Sequence, residues 1–169
     1  MIIAISGTPG TGKHTLADRL SRKIKYEVLD LNPFLTKGKK EEEVTLKKLN
    51  RVFQRHKKDN LLVVSHLAHF IESKQINLLI VLRTEPMVLA KRLRGRRYSK
   101  EKIRDNVIFE AMNGTYEEAL KMKRNVFQID NTQNIDRAVK KARLIINGKG
   151  RGDNVDFSGK IIKMEKMLK

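Results

Sequence analysis

The chain has 169 residues, 40% of them hydrophobic, which is enough for one domain with a core of its own and too few for two ordinary ones. It has no Cys, which excludes disulfides and Cys-based zinc sites, and no apolar run approaches the roughly 20 residues of a membrane span. Lys and Arg number 37 against 19 Asp and Glu, giving a net charge of +18 and a pI near 10.3; ion-pair networks need both signs, so the imbalance points to a polyanionic partner, RNA foremost.

In chain order, the apolar MIIAIS is short and lacks the basic lead of a signal peptide, so a cytoplasmic protein is the expectation. IIAIS (2–6) reads as a first buried strand, followed by GTPGTGKHT (7–15) and helical spacing over 13–25. YEVL (26–29) is a second strand. A charged loop, TKGKKEEE (36–43), precedes helical spacing over 45–58. LLVVS (61–65) and NLLIVL (77–82) read as the third and fourth strands, and 85–95 and 99–123 as helices. VFQID (126–130) is the fifth strand, and 134–147 the last helix of the domain. Five strands separated by helices imply a parallel sheet covered on both faces. The domain spans 1–146. The Gly-rich NGKGRGDN (147–154) then reads as a flexible connection to a basic tail ending at 169, whose Phe157, Ile161, Met164 and Leu168 share one face if it is helical.

GTPGTGKHT is close to the phosphate-binding pattern G-x-x-x-x-G-K-[ST], in the right setting between a strand and a helix. Gly7, Gly10 and Gly12 let backbone N–H groups converge on phosphate oxygens, the helix N-terminus adds positive potential, and Lys13 reaches the outer phosphates. His14 stands where a hydroxyl normally ligates Mg²⁺, a cation that prefers hard oxygen donors. Thr15, one place later, still offers a hydroxyl.

This loop resembles that of adenylate kinases, G-x-P-G-x-G-K-G-T, with His for Gly. VLRTEPMVLAKRLRGRRYSKEKIRDNVIFEAMNGTYEEAL (81–120) resembles one branch more closely: the archaeal and eukaryotic adenylate kinase isoenzyme six family. The shared features are VLRT, a helix ending in RL, R-x-Y-x-x-x-K, DN and YEEA. The resemblance implies a P-loop NMP-kinase-like three-layer α/β fold, adenylate kinase and ATPase activities, and Mg²⁺ supplied with ATP. It also implies a role in late small ribosomal subunit (16S rRNA) maturation, with a platform ribosomal protein, rRNA or the pre-small-subunit particle as partner.

By the same resemblance, Gly10, Thr11, Gly12, Lys13, His14 and Thr15 hold ATP, Thr15 reaching Mg²⁺ through water. Residues 95–105 form a lid in which Arg96 faces the ATP phosphates or adenine, with Arg92 and Arg97 as lesser candidates. Gln133, in DNTQN after the fifth strand, lies where backbone contacts cup adenine. Residues 29–53 form the monophosphate-binding segment. Related kinases usually offer an Arg to the acceptor there; this chain has Asn32-Pro33-Phe34, leaving Asp30, Lys37, Lys39 and Lys40 to serve AMP or another NMP. After the third strand the family often has an acid and a His. Here Ser65 replaces the acid, His66 keeps the water-orienting His, and Asp30 is the available substitute for the acid. His66-x-x-His69 also has the spacing of a metal pair, with no third ligand evident.

Overall fold

Strands buried between two helical layers need apolar side chains on both faces. The computed structural model, which describes residues 1–35, 46–122 and 125–160, shows how this chain meets that requirement. Five strands, β1 (Ile2–Ser6), β2 (Glu27–Asp30), β3 (Leu61–Val64), β4 (Leu78–Arg83) and β5 (Val126–Asp130), pair in parallel in the order β2-β3-β1-β4-β5. The helices are α1 (Lys13–Ile24), α2 (Asn32–Leu35), α3 (Leu46–His56), α4 (Pro86–Gly95), α5 (Lys100–Ala111), α6 (Gly114–Met122) and α7 (Ile135–Ile146).

Side-chain alternation sorts the core into two layers. Ile3, Ile5, Leu62, Val64, Ile80 and Leu82 pack against Leu16 and Leu20 of α1 and Val139 and Ile145 of α7. Ile2, Ala4, Leu61, Val63, Leu79 and Val81 face Leu49 and Phe53 of α3 and Ala119 of α6. Helices α4 and α5 form a hairpin with a small core of its own, built on Leu89, Leu93, Ile103 and Val107. All five strands point the same way, so their C-terminal ends meet along one edge of the sheet. Each end delivers polar residues there: Ser6, Asp30, Ser65 with His66, Arg83 with Thr84, and Asp130 with Asn131.

Three expectations change. YEVL (26–29), read as a buried strand, is instead an edge strand exposed at Glu27 and Val28 and only half-buried at Leu29 and Asp30. The helical spacing of 99–123 is two helices, because Asn113 adopts a left-handed φ of 59° and turns the chain. A Cβ on the following Gly114 would lie 2.3 Å from the Phe109 ring. The Gly-rich segment after α7 is also no free connection. Asp153 N–H donates to the Gln128 carbonyl on the outer side of β5 (2.8 Å), and Asp130 N–H donates to Asp153 Oδ2 (2.9 Å). Arg137 and Lys141 of α7 hold the same carboxylate. Val155 and Phe157 are buried beyond it. Phe157 thus packs on the domain, while Ile161, Met164 and Leu168 lie outside the described residues. Among the described residues, no helix is long and apolar enough to cross a membrane.

Candidate active site

The turn from β1 into α1 is built by close backbone packing. Gly12 has φ +99°, and a Cβ there would sit 2.6 Å from Asn131 Nδ2. Asn131 uses the space to donate to the Thr11 carbonyl (2.8 Å), which ties the loop to the end of β5. Thr11 is buried, with its hydroxyl donating to the Thr8 carbonyl (2.9 Å). Inside the curl, Lys13 Nζ donates to the carbonyls of Gly7 (2.6 Å) and Thr8 (3.0 Å). Burial brings its pKa down to about 7, with Glu110 and Asp30 opposing and Arg96 assisting. A phosphate entering the curl replaces those carbonyl partners with charged oxygens and restores the ammonium form.

Behind the loop stands a buried ionic network. Thr8 Oγ1 donates to Glu110 Oε2, Arg83 Nε to Glu110 Oε1 (2.7 Å) and Thr84 N–H to the same oxygen (3.1 Å). Arg83 also bonds Gln128, the Glu110 carbonyl (2.9 Å) and Asn113 Oδ1 (2.7 Å), and its guanidinium lies 5.4 Å from the Phe157 ring centre. Glu110 belongs to α5 and Arg83 to β4, so the α4–α5 hairpin, which includes the segment expected to form a lid, is wired to the loop. Sequence reasoning missed this network, along with Asn131. Nothing in the spacing of VLRT and Glu110 marks them as partners across 27 residues.

In front of the loop opens a cavity of about 310 Å³ lined by Pro9, Gly10, Gly12, Lys13, His14, Thr15, Asn32, His66, Arg96 and Tyr98. It brings together most of the residues expected from the sequence. Arg96 enters from the end of α4, and its neighbour Arg97 turns away through a left-handed φ of 59° and does not line the wall. Arg92 is a brace rather than a phosphate ligand: it bonds Thr84 Oγ1 (3.1 Å) and the carbonyls of Asn131 (2.9 Å) and Thr132 (3.1 Å). Gln133 is exposed and outside the cavity lining. Lys37, Lys39 and Lys40 lie outside the described residues.

The opposite wall is a polar chain running across the ends of β2 and β3. His14 Nε2 lies 2.9 Å from Asp30 Oδ2. Asp30 Oδ1 accepts from the N–H (2.9 Å) and Nδ2 (2.8 Å) of Asn32. Asn32 Oδ1 accepts from Ser65 Oγ (3.0 Å) and lies 3.2 Å from His66 Nδ1. His66 is exposed at the cavity wall, but crowding by the surrounding protein, then the charges of Lys13 and His69, hold its pKa down to about 4 against the opposing pull of Asp30, which leaves the imidazole neutral at pH 7. His66 and His69 do not form a metal pair. His69 is buried with Nδ1 2.7 Å from Ser6 Oγ and Nε2 3.0 Å from Glu118, so both ring nitrogens are engaged elsewhere.

The Mg²⁺ that the sequence leads one to expect would meet the Thr15 hydroxyl in the cavity lining, an imidazole where the usual hydroxyl would stand, and, outside the lining but bonded to that imidazole, the Asp30 carboxylate. Among the described residues, no three His, Cys, Asp or Glu side chains converge on a cation position. The oxygens fit a Mg²⁺ carried mostly by nucleotide oxygens and water; the imidazole does not.

A family model described as an AAA domain matches residues 3–121. A protein named "Putative adenylate kinase" from Pyrococcus abyssi is 40% identical over 139 residues, covering 78% of this chain and 76% of that one. A protein of the same name from Thermococcus kodakarensis is 38% identical over 139 residues, covering 78% and 77%. The chain belongs to the adenylate kinase family. Solved structures agree on the fold. YorR from Bacillus subtilis, in complex with phosphorylated GDP, superposes with a TM-score of 0.62 at 18% identity, over 87% of this chain and 96% of that one. Deoxyadenosine kinase from M. mycoides, with dCMP and dCDP bound, gives 0.59 at 18%, over 88% and 100%. In this P-loop kinase fold the cavity at the strand ends is where the family's chemistry is to be sought.

Proposed function

We propose that the chain is an adenylate kinase-type nucleoside monophosphate kinase that converts ATP and AMP to two ADP and also hydrolyses ATP. The observation that carries this reading is a single cavity joining the phosphate loop at Gly10, Gly12 and Lys13 to the acceptor-side residues Asn32 and His66, under Arg96 and Tyr98 of the lid hairpin. A donor phosphate on the loop and an acceptor phosphate beyond it face each other across that space. An acceptor oxygen attacks the γ-phosphorus in line while the bond to the ADP oxygen breaks. No general base is required of the protein, because the acceptor is already an anion, so catalysis is positioning and neutralisation of charge.

Lys13 supplies charge to the outer phosphates, the loop N–H groups orient them, and Arg96 covers them as the lid closes and excludes water. His66, held neutral, orients water when hydrolysis replaces transfer. Thr15 and Asp30 would offer oxygens to a Mg²⁺ arriving with ATP, which would supply charge neutralisation.

A second reading is favoured by two observations. Asn32, locked to Asp30 and Ser65, stands where an acceptor-binding Arg is expected, and the chain carries +18. On this reading the site is an ATP-driven switch in late small-subunit maturation, with little monophosphate kinase activity. Product analysis with ATP, Mg²⁺ and a panel of monophosphates, with phosphate release followed in parallel, separates them. ADP formed with matching diphosphate gain supports the kinase. ADP and phosphate formed without any diphosphate gain would remove it.

A further inference from the structure

His14 stands where the loop pattern has a hydroxyl, and it meets a carboxylate from another strand end. Ser65, at the end of β3, has no carboxylate to offer a cation; Asp30, at the end of β2, has one, and the structure aims it at the loop. Asp30 Oδ1 is pinned by two donors of Asn32, backbone N–H and side-chain Nδ2, and Asn32 is itself fixed by the Ser65 hydroxyl. That leaves Oδ2 turned to His14 Nε2 at 2.9 Å, with both side chains partly open to solvent, 52% for His14 and 33% for Asp30. Fixing the outer oxygen of a carboxylate so that the inner one points at a cation is how supporting hydrogen bonds orient a metal ligand.

We propose that His14 and Asp30 together form a nitrogen–oxygen ligand pair for the divalent cation of the bound nucleotide, and that this pair makes the site prefer Mn²⁺ or Co²⁺ to Mg²⁺. Two donors bound to one octahedral cation at about 2.1 Å, in adjacent positions, lie about 3 Å apart. His14 Nε2 and Asp30 Oδ2, hydrogen-bonded at 2.9 Å without a cation, are near enough to take adjacent positions once a cation displaces the proton between them. With a cation present the imidazole binds through the Nε2 lone pair, its proton residing on Nδ1, and Oδ2 binds beside it. Phosphate oxygens, water and the Thr15 hydroxyl complete the shell. Imidazole nitrogen is a good ligand for borderline ions such as Co²⁺ and tolerable for Mn²⁺, whereas Mg²⁺ favours an all-oxygen shell. Two side chains are too few to retain a cation alone, in keeping with the lack of a three-residue His, Cys, Asp or Glu cluster among the described residues. The cation therefore arrives with the nucleotide.

This inference rests on the nucleotide-binding reading above, and the experiment keeps the two apart. The β,γ-methylene analogue of ATP is titrated calorimetrically into the wild-type protein, His14→Gly, His14→Thr and Asp30→Asn, each with EDTA, Mg²⁺, Mn²⁺ or Co²⁺, after circular dichroism has verified that each variant is folded. The expected wild-type result is at least tenfold tighter binding with Mn²⁺ or Co²⁺ than with Mg²⁺, shrinking several-fold in every variant, with Mg²⁺-supported binding improved in His14→Thr. Pulsed paramagnetic resonance of the Mn²⁺ complex should show coupling to an imidazole nitrogen in the wild type and in Asp30→Asn, and none in His14→Gly. Without nucleotide, Mn²⁺ should not bind. Equal cation ratios in all four proteins, or no nitrogen coupling in the wild type, would overturn the cation assignment and leave nucleotide binding standing. Failure to bind the analogue under any condition would overturn both.

Discussion

Lys13 carries a conditional charge. It is 5% exposed, and burial holds its pKa near 7 against 10.5 in the unfolded chain. Between those values the unfolded state binds the extra proton, so this group's contribution to stability rises with pH from about 7 towards 10.5. Bound phosphates raise the folded value, so nucleotide binding should take up a proton at pH 8 and almost none at pH 6, and affinity should fall as pH rises above about 7. Calorimetry in buffers of differing ionisation heat measures the uptake directly. Uptake unchanged in Lys13→Met would place the proton elsewhere. For the reaction, Lys13→Ala should lose about 2.7–4 kcal/mol of transition-state stabilisation, the usual cost of a preorganised donor. A turnover within a few-fold of wild type would remove Lys13 from the machinery.

Among elements, the α4–α5 hairpin braces the loop through Glu110, and the segment after α7 (147–157) lies as a strap along β5. Arg96 lines the cavity and Arg97 does not, so Arg96→Ala should slow turnover more than Arg97→Ala. Equal losses would mean that the hairpin acts only through its summed charge. The strap is tested by Asp153→Ala. Burial alone would raise the pKa of this carboxyl, but hydrogen bonds from Lys141, Asp130 N–H and Arg137 outweigh it and depress the value. Its stabilisation is therefore present above the ordinary carboxylate pKa and lost as pH falls through the depressed one. Arg137 is half-exposed and keeps the Asp130 carbonyl, and Lys141 reaches water, so the substitution should cost about 1–2 kcal/mol, the usual worth of hydrogen bonds to a partly screened charged group. A melting curve unchanged at pH 7 would contradict that role.

These elements also show what the sequence could convey. The buried strands, α1 and the loop were legible because period-two and period-3.6 apolar patterns and the Gly–Lys spacing are local signals. The split at Asn113 was not, since the apolar pattern of 99–123 runs through it. The strap was misread because Gly150 and Gly152 suggest freedom, when Gly152 in fact lets the chain approach the backbone of Gln128. Within the site, the loop and Arg96 were readable from motif. The Thr8–Glu110–Arg83 network joins the loop, α5 and β4, and the Asn32–Asp30–Ser65 bonds join the ends of β2 and β3; both are contacts between segments distant in sequence, which no spacing encodes.

For the whole molecule, the charge of +18 is unusual beside an ordinary kinase core. Residues 91–104, which overlap most of the lid expected at 95–105, hold eight Lys or Arg and one Glu. If this excess serves RNA, binding to small-subunit RNA should weaken with salt along a slope of roughly −0.7 to −0.9 per phosphate contact, and nucleotide should alter it by moving the lid. RNA titrations with ADP and with a non-hydrolysable ATP analogue test this; no binding in either state would leave the charge without that role. On the proposed function, one cavity holds donor and acceptor phosphates together. The most direct measurement is calorimetric titration with a bisubstrate analogue in which two adenosines are joined by five phosphates. One analogue should bind per chain, at least tenfold tighter than ATP or AMP alone, and Lys13→Ala should abolish the gain. An affinity no better than that of ATP would contradict a shared donor–acceptor site.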